Sequence, residues 1–168
     1  MKNLTIRDCR VPDIDSLLKA LFRQKWIALE EPLKLTDGKY PGVYLLAYTN
    51  KNMAGKLVKP ADVCYVGMSR SLGGIHQRLY QYKRGIENGK AHSAAIRFFH
   101  KVAKDKPYSR MSNKRKFYVA SISIPCVVNK SKRTALDIRK MGEIVRLEYY
   151  VLAYIKNSTR SEPWLNKQ

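Results

Sequence analysis

Acids are scarce in this chain. Against 33 Lys and Arg residues there are 13 Asp and Glu, so the 168-residue protein carries a formal charge of +20 and a pI near 10.0. A chain this positive is costly to compact unless the charge has a use, and a polyanionic partner is the direct inference. A membrane surface would need a basic amphipathic helix with exposed apolar residues or a lipid anchor, and neither stands out, so nucleic acid is favoured. Long apolar runs are missing too. With no stretch of about 18 uninterrupted apolar residues, no membrane span is expected. The opening MKNLTIRDCRVPDID has no apolar signal core and brings acids early, so no secretion signal is visible. Cysteine is limited to Cys9, Cys64 and Cys126, odd in number and far apart. They read as reduced thiols of a cytoplasmic protein, not a disulfide frame or a CxxC zinc site. Repeats, low-complexity segments and the HxH, HExxH and HNH-like spacings are also lacking, which disfavours a histidine-metal nuclease.

What remains is an apolar fraction of 45%, suited to one globular domain with one core, extended by an arm. Residues 12 to 31 predict a helix: Pro12 and Asp13 start it, Ile14, Leu17, Leu18, Leu21 and Phe22 recur at helical spacing, and Glu30-Glu31-Pro32 ends it. After the Asp37-Gly38 turn, Gly42 to Thr49 reads as a buried strand. Residues 50 to 60 form a polar, basic hairpin loop, and Val63 to Val66 returns as an antiparallel strand. Gly73-Gly74 precedes a helix at about 75 to 86, with Ile75, Leu79 and Ile86 inward. Asn88-Gly89 separates it from another at about 92 to 103, which His92 starts. A basic loop, 104 to 116, leads to the period-2 strand Phe117 to Ile124. The loop NKSKR then precedes a long helix from about Thr134 to Lys156. The expected class is α+β: a small antiparallel sheet of three strands flanked by helices, with residues 1–38 as an N-terminal helical arm and 39–168 as the main domain.

Several residues invite a chemical reading. If the first two strands pair, Tyr44 and Tyr65 project toward one end of the sheet; the plain alternative is two strand tyrosines with satisfied hydroxyls. Arg78 stands four residues before Tyr82, which places both on one helical face, beside the apolar stripe of Ile75 and Leu79. Glu148 interrupts an apolar helical pattern from Val145 to Ile155. It either pairs with Arg146 or Lys156, or is held toward a partner such as a hard divalent cation.

In order, Gly42-Val43-Tyr44, Tyr65-Val66-Gly67, an arginine on the next helix with an aromatic four residues on, a late-helix glutamate and Pro163-Trp164-Leu165-Asn166 resemble the GIY-YIG nuclease family over about residues 40 to 167. The resemblance implies a small sheet carrying both tyrosines, with Tyr65 activating water and Tyr44 hydrogen-bonding nearby. It implies that Arg78 neutralises the scissile phosphate, that Tyr82 fills the family's tyrosine-or-histidine position, and that Glu148 holds one Mg²⁺ or Mn²⁺ per active site. Gly42, Gly67 and Asn166 take structural roles. The spacers from Tyr44 to Tyr65 and from Arg78 to Glu148 are about twice the family's common length, which is similar to its restriction-endonuclease branch. Where the family often has a lysine after the second tripeptide, this chain has Met68 and Arg70; Arg70, Lys51, Lys56 or Lys59 would supply that charge.

The expected substrate is double-stranded DNA. It would be gripped by Lys51, Lys56, Lys59, Arg70, His76, Lys106, Arg110, Lys114, Arg115, Lys116, Lys130, Lys132 and Arg133, with Tyr108 and Met111 inserting or stacking at the duplex. A homodimer on DNA and a cognate DNA methyltransferase are expected by analogy with restriction systems. Two alternatives stand beside this: a GIY-YIG nuclease of repair, mobile-element or phage type, and a noncatalytic basic module that binds nucleic acid.

Overall fold

In the computed structural model, residues 13–112 and 114–166 are described, Leu33 by its backbone alone. Pro12 and Cys9 lie outside them. Four helices, α1 (Ile14–Phe22), α2 (Gly74–Asn88), α3 (Ser93–Lys101) and α4 (Ala135–Thr159), accompany four strands, β1 (Ile27–Ala28), β2 (Gly42–Thr49), β3 (Tyr65–Ser69) and β4 (Lys116–Ser123). The class is α+β, with one antiparallel sheet in the order β1-β4-β2-β3.

The sheet therefore has four strands rather than the three expected, and the first helix is shorter than 12 to 31. α1 stops at Phe22, where the Arg23 N–H turns back to the Ala20 carbonyl and the Gln24 N–H to that of Leu21. The chain then runs out in extended form: the Trp26 N–H donates to the Lys56 carbonyl, and Ile27 and Ala28 pair with Val119 and Tyr118. A two-residue strand is too short to show an alternation, and its apolar residues continue the count of the helix before it. β3 also lies later than expected, because residues 60–62 make a 3-10 turn before the strand begins at Tyr65.

Alternation divides the side chains of each strand between two layers. Val43, Leu45, Ala47, Val66 and Ala120 face α1 and α4, where Ile14, Leu21, Ile144, Leu147, Val151 and Ile155 complete an aliphatic core with Trp26. Tyr44, Leu46, Tyr65, Phe117 and Val119 face α2 and α3, against Ile75, Leu79, Tyr82, Ile86 and Phe98. β2 is buried on both faces, which is why it is apolar nearly throughout. No described helix is long and apolar enough to cross a membrane.

Two local devices fix the frame. Thr134 and Asp137 form a reciprocal capping box at the start of α4, each side chain bonding the other's backbone N–H. β3 is an edge strand, and its open side is covered by the C-terminal segment. Asn166 accepts from the Val66 N–H at 2.8 Å and donates to the Val66 carbonyl at 2.9 Å, pairing as a neighbouring strand would.

Candidate active site

β2 and β3 pair so that Tyr44 stands opposite Gly67 and Leu46 opposite Tyr65. Gly67 permits the arrangement: a Cβ there would lie 2.6 Å from Tyr44 Cζ and Oη and from Tyr65 Cε1. The two tyrosine rings thus lie over the glycine, with centroids 6.0 Å apart. Gly42 plays a similar part, since a Cβ there would meet the Ile122 carbonyl of β4 at 2.1 Å.

α2 supplies the next layer. Ile75, Leu79, Tyr82 and Ile86 form its buried stripe, so Tyr82 lies within that stripe rather than beside it. Its ring stacks on Tyr65 at 6.2 Å, and its hydroxyl is buried with no hydrogen-bond partner among the described residues. Arg78 is half-buried and donates to Gln81 Oε1 at 2.9 Å. α3 begins with His92 as its N-cap residue, as expected, but the imidazole does more than start a helix. His92 Nε2 lies 3.0 Å from Tyr44 Oη, and its ring meets Tyr65 and Tyr82 edge-on. Arg97, also on α3, donates from Nε and Nη2 to the Leu165 carbonyl at 3.0 and 2.6 Å, tying the Asn166 segment to this face.

Because β3 is the sheet's edge, groups from α4 on one face and α2 on the other can meet around it. Glu148 arrives from α4, half-buried beside Leu147. Neither alternative ion pair forms: Arg146 engages Glu143 at 3.5 Å and the Tyr150 hydroxyl, and Lys156 engages Glu162 at 2.8 Å. Among the described residues no hydrogen bond or ion pair reaches the Glu148 carboxylate. Burial raises its pKa above the ordinary value, and the positive charges of Arg70 and Arg78 pull it back. The charge of Glu148 in turn raises Tyr44 and Tyr65, while Arg78 lowers both. Phenols, guanidinium and carboxylate act on one another here.

Exposure ranks the group. Tyr44 and Tyr82 are fully buried, Tyr65 is 8% exposed, and Arg78 and Glu148 are half-buried. Only Tyr65 among the three phenols reaches the surface. Its pKa is raised, chiefly by burial, with Arg78 and Arg97 opposing. Burial with Arg78 and Arg97 lowers His92 to about 4, so its ring is neutral near pH 7. No group of three or more His, Cys, Asp and Glu side chains suited to a metal occurs among the described residues. Glu148 therefore stands as a single carboxylate.

The other candidate residues are more dispersed. The register places the loop carrying Lys51, Lys56 and Lys59 beyond Thr49, away from the Tyr44–Gly67 pair; it is bound to residues 24–26 by backbone hydrogen bonds. The 104–116 loop enters β4 at Lys116, opposite Thr49, and Lys114 and Lys116 share a surface recess with Asn50 and Asn52. Lys106, Arg110 and Arg115 are exposed in that loop, and the Arg115 guanidinium lies over the Tyr48 ring. Lys130, Lys132 and Arg133 follow β4 from its other end, next to Gly42. Arg70 is exposed just past β3. His76 bonds the Leu35 carbonyl at 3.2 Å and packs over Gly38, so it serves the fold. Tyr108 packs on Phe98 and Phe117 and reaches the Arg115 carbonyl, with Met111 against the same core, so both serve the fold.

Sequence reasoning did not find the link from His92 to Tyr44, nor the role of Arg97. The only local signal was a histidine at a helix start after a glycine turn; its partner is 48 positions away. No protein-family model, no curated protein and no solved structure matches the chain.

Proposed function

We propose that this protein is a metal-dependent endonuclease of the GIY-YIG kind that hydrolyses phosphodiester bonds of double-stranded DNA, acting as a sequence-specific type II restriction enzyme. The observation that carries the reading is that the charges of Arg78 and Glu148, from helices on either side of the β3 edge, both act on Tyr65, with the carboxylate unpartnered among the described residues. In-line attack on a phosphodiester requires a group to handle the water proton, a clamp on the non-bridging oxygens and help for the leaving oxygen.

The residues divide these tasks by position. Tyr65, the one phenol of the cluster at the surface, orients the attacking water and takes its proton as the phenolate, its own proton having passed to solvent and the negative charge being offset by Arg78 and Arg97. Arg78 offers planar, two-pronged donors to the phosphate. Glu148 fits a hard cation, being a half-buried carboxylate with its acceptor sites free among the described residues, and it would hold Mg²⁺ or Mn²⁺, with water and phosphate oxygens completing the shell. Such an ion, when bound, neutralises charge on the phosphate and leaving oxygen. Tyr44 and Tyr82 are positioning residues beneath Tyr65. Arg70 takes the electrostatic place of the missing lysine, since it acts on Glu148 whereas the lysines of the 50–59 loop lie beyond Thr49.

The basic loops supply the sequence-independent grip on phosphates. Homodimerisation on DNA and pairing with a methyltransferase remain part of the proposal by analogy, as does a cytoplasmic setting, which suits the free Cys64 and Cys126. The test is incubation of unmethylated phage DNA with the protein and Mg²⁺ or Mn²⁺, followed by sequencing of product ends. Ends at one recurring sequence are expected. Scattered ends would favour a repair or phage type of nuclease, and salt-sensitive binding with no cleavage would leave a noncatalytic module.

A further inference from the structure

We propose that His92 sets the direction of the protons in the tyrosine pair: its Nε2–H donates to the Tyr44 hydroxyl, which turns the Tyr44 proton onto the Tyr65 oxygen. This rests on the nuclease reading for its catalytic meaning, but the polarity of the His92–Tyr44 hydrogen bond stands on geometry alone.

His92 is 1% exposed and held by the start of α3, where its carbonyl accepts from the Ile96 N–H at 2.8 Å. Its Nε2 is 3.0 Å from Tyr44 Oη, and its Nδ1 is buried with no partner. A neutral imidazole carries one N–H, so one of two tautomers is present. If the proton were on Nδ1, a buried N–H would have no acceptor. If it is on Nε2, the orphan at Nδ1 is a bare acceptor. Orphaned buried N–H groups are the rarer and costlier kind, so the second tautomer is favoured.

The consequence passes along the chain of hydroxyls. With Tyr44 Oη accepting from His92, its own hydrogen is turned away from the imidazole, and the neighbouring phenol is Tyr65, with ring centroids 6.0 Å apart. A hydrogen bond in that sense would raise Tyr44 and lower Tyr65. Tyr44 thereby remains the donor, and Tyr65 becomes the phenol whose proton faces outward and whose oxyanion is supported. The charged groups that face Tyr65 are Arg78 from α2 and Arg97 from α3, which favour that oxyanion, and Glu148 from α4, which opposes it. Tyr82 and His92 pack against its ring and carry no charge near pH 7. His92 is then a positioning residue that decides which tyrosine does the work.

Two measurements judge this. The ¹⁵N shifts of His92 in the wild-type protein at neutral pH should report the Nε2–H tautomer; an Nδ1–H signal would overturn the proposal whether or not the protein cuts DNA. In cleavage assays, His92→Leu should lower kcat by about 10- to 100-fold, the worth of one hydrogen bond to a developing charge, with DNA affinity unchanged. His92→Gln, whose amide N–H can still donate to Tyr44, should recover most of the loss. Wild-type kcat in His92→Leu would overturn the inference while leaving the nuclease reading intact. Failure of the wild-type protein to cut any DNA would instead remove the nuclease reading and leave the tautomer result to stand or fall by itself.

Discussion

The two faces of one sheet are built to different ends. Neighbouring residues of β2 serve both: Val43, Leu45 and Ala47 enter an aliphatic layer under α1 and α4, while Tyr44, Leu46 and Tyr48 enter an aromatic layer under α2 and α3. The aliphatic side holds the chain together by burial of surface that makes no directional demands. The aromatic side buries Tyr44, Tyr82 and His92, each of which asks for a partner, and two of their polar atoms find none. Natural folds leave few such atoms unmet, and those that remain call for an explanation. Here two of the three unmet atoms among the described residues, those of Tyr82 and His92, belong to rings packed on Tyr65, while the third, Trp26 Nε1, lies in the aliphatic layer. The aliphatic layer thus buries mostly apolar side chains, and the aromatic layer holds more of the polar groups that cost stability.

Three changes sharpen this contrast, in falling order of size. Leu45→Ala, on the aliphatic side and fully buried, should cost about 2–5 kcal/mol in urea unfolding while leaving cleavage per folded molecule near wild type. A small loss there would mean that the layer under α1 and α4 is not the main source of stability.

Acidification should act through the aromatic side. The unfolded chain takes up a proton at His92 near the usual 6.5, but the folded protein does not until about 4, so the unfolded state binds more protons between those values. The His92 contribution to stability is complete above pH 6.5 and is lost as pH falls toward 4. Glu148, whose pKa is raised on folding, acts with the opposite sign, so the readout is the difference between wild type and His92→Gln. The wild-type protein should lose more stability than the variant from pH 7 to 4.5; parallel curves would contradict the assignment.

The smallest effect is expected at Tyr82. Removing its unpartnered hydroxyl by Tyr82→Phe leaves the ring stack in place and should be neutral or stabilising by about 1 kcal/mol. A clear destabilisation in the same unfolding assay would show that the hydroxyl has a partner.

Much of this frame was legible in the residues. The bounds of β2 follow from its β-forming apolar run between a glycine and a polar loop, and its antiparallel pairing with the strand that carries Tyr65 and Val66 follows from the loop between them. The long last helix follows from its apolar period, and its start at Thr134 from the Thr-x-x-Asp capping pattern. β1 was hidden because Ile27 and Ala28 lie in register with the preceding helix by spacing alone; what makes them a strand is Val119 and Tyr118, some ninety residues on. Likewise, Glu148 stood out as one acid in an apolar helix, but only the structure shows Arg146 and Lys156 occupied elsewhere. His92 was invisible as a member of the site because a hydrogen bond from an N-cap histidine to a strand tyrosine leaves no local pattern. For Tyr108 and His76 the residues pointed only to DNA: in a chain with so many cations, loop and helix residues near them read as contacts for a duplex, and their packing and bonds to backbone carbonyls left no local pattern.

Cleavage of supercoiled plasmid in Mg²⁺ by Glu148→Gln and Arg78→Ala, with DNA binding followed in parallel, tests the central claim most directly. The account predicts that wild-type protein cuts and that each variant loses cleavage by about 10²-fold or more while still binding DNA, as expected when a group acts mainly in the transition state. Wild-type cutting by either variant would contradict it.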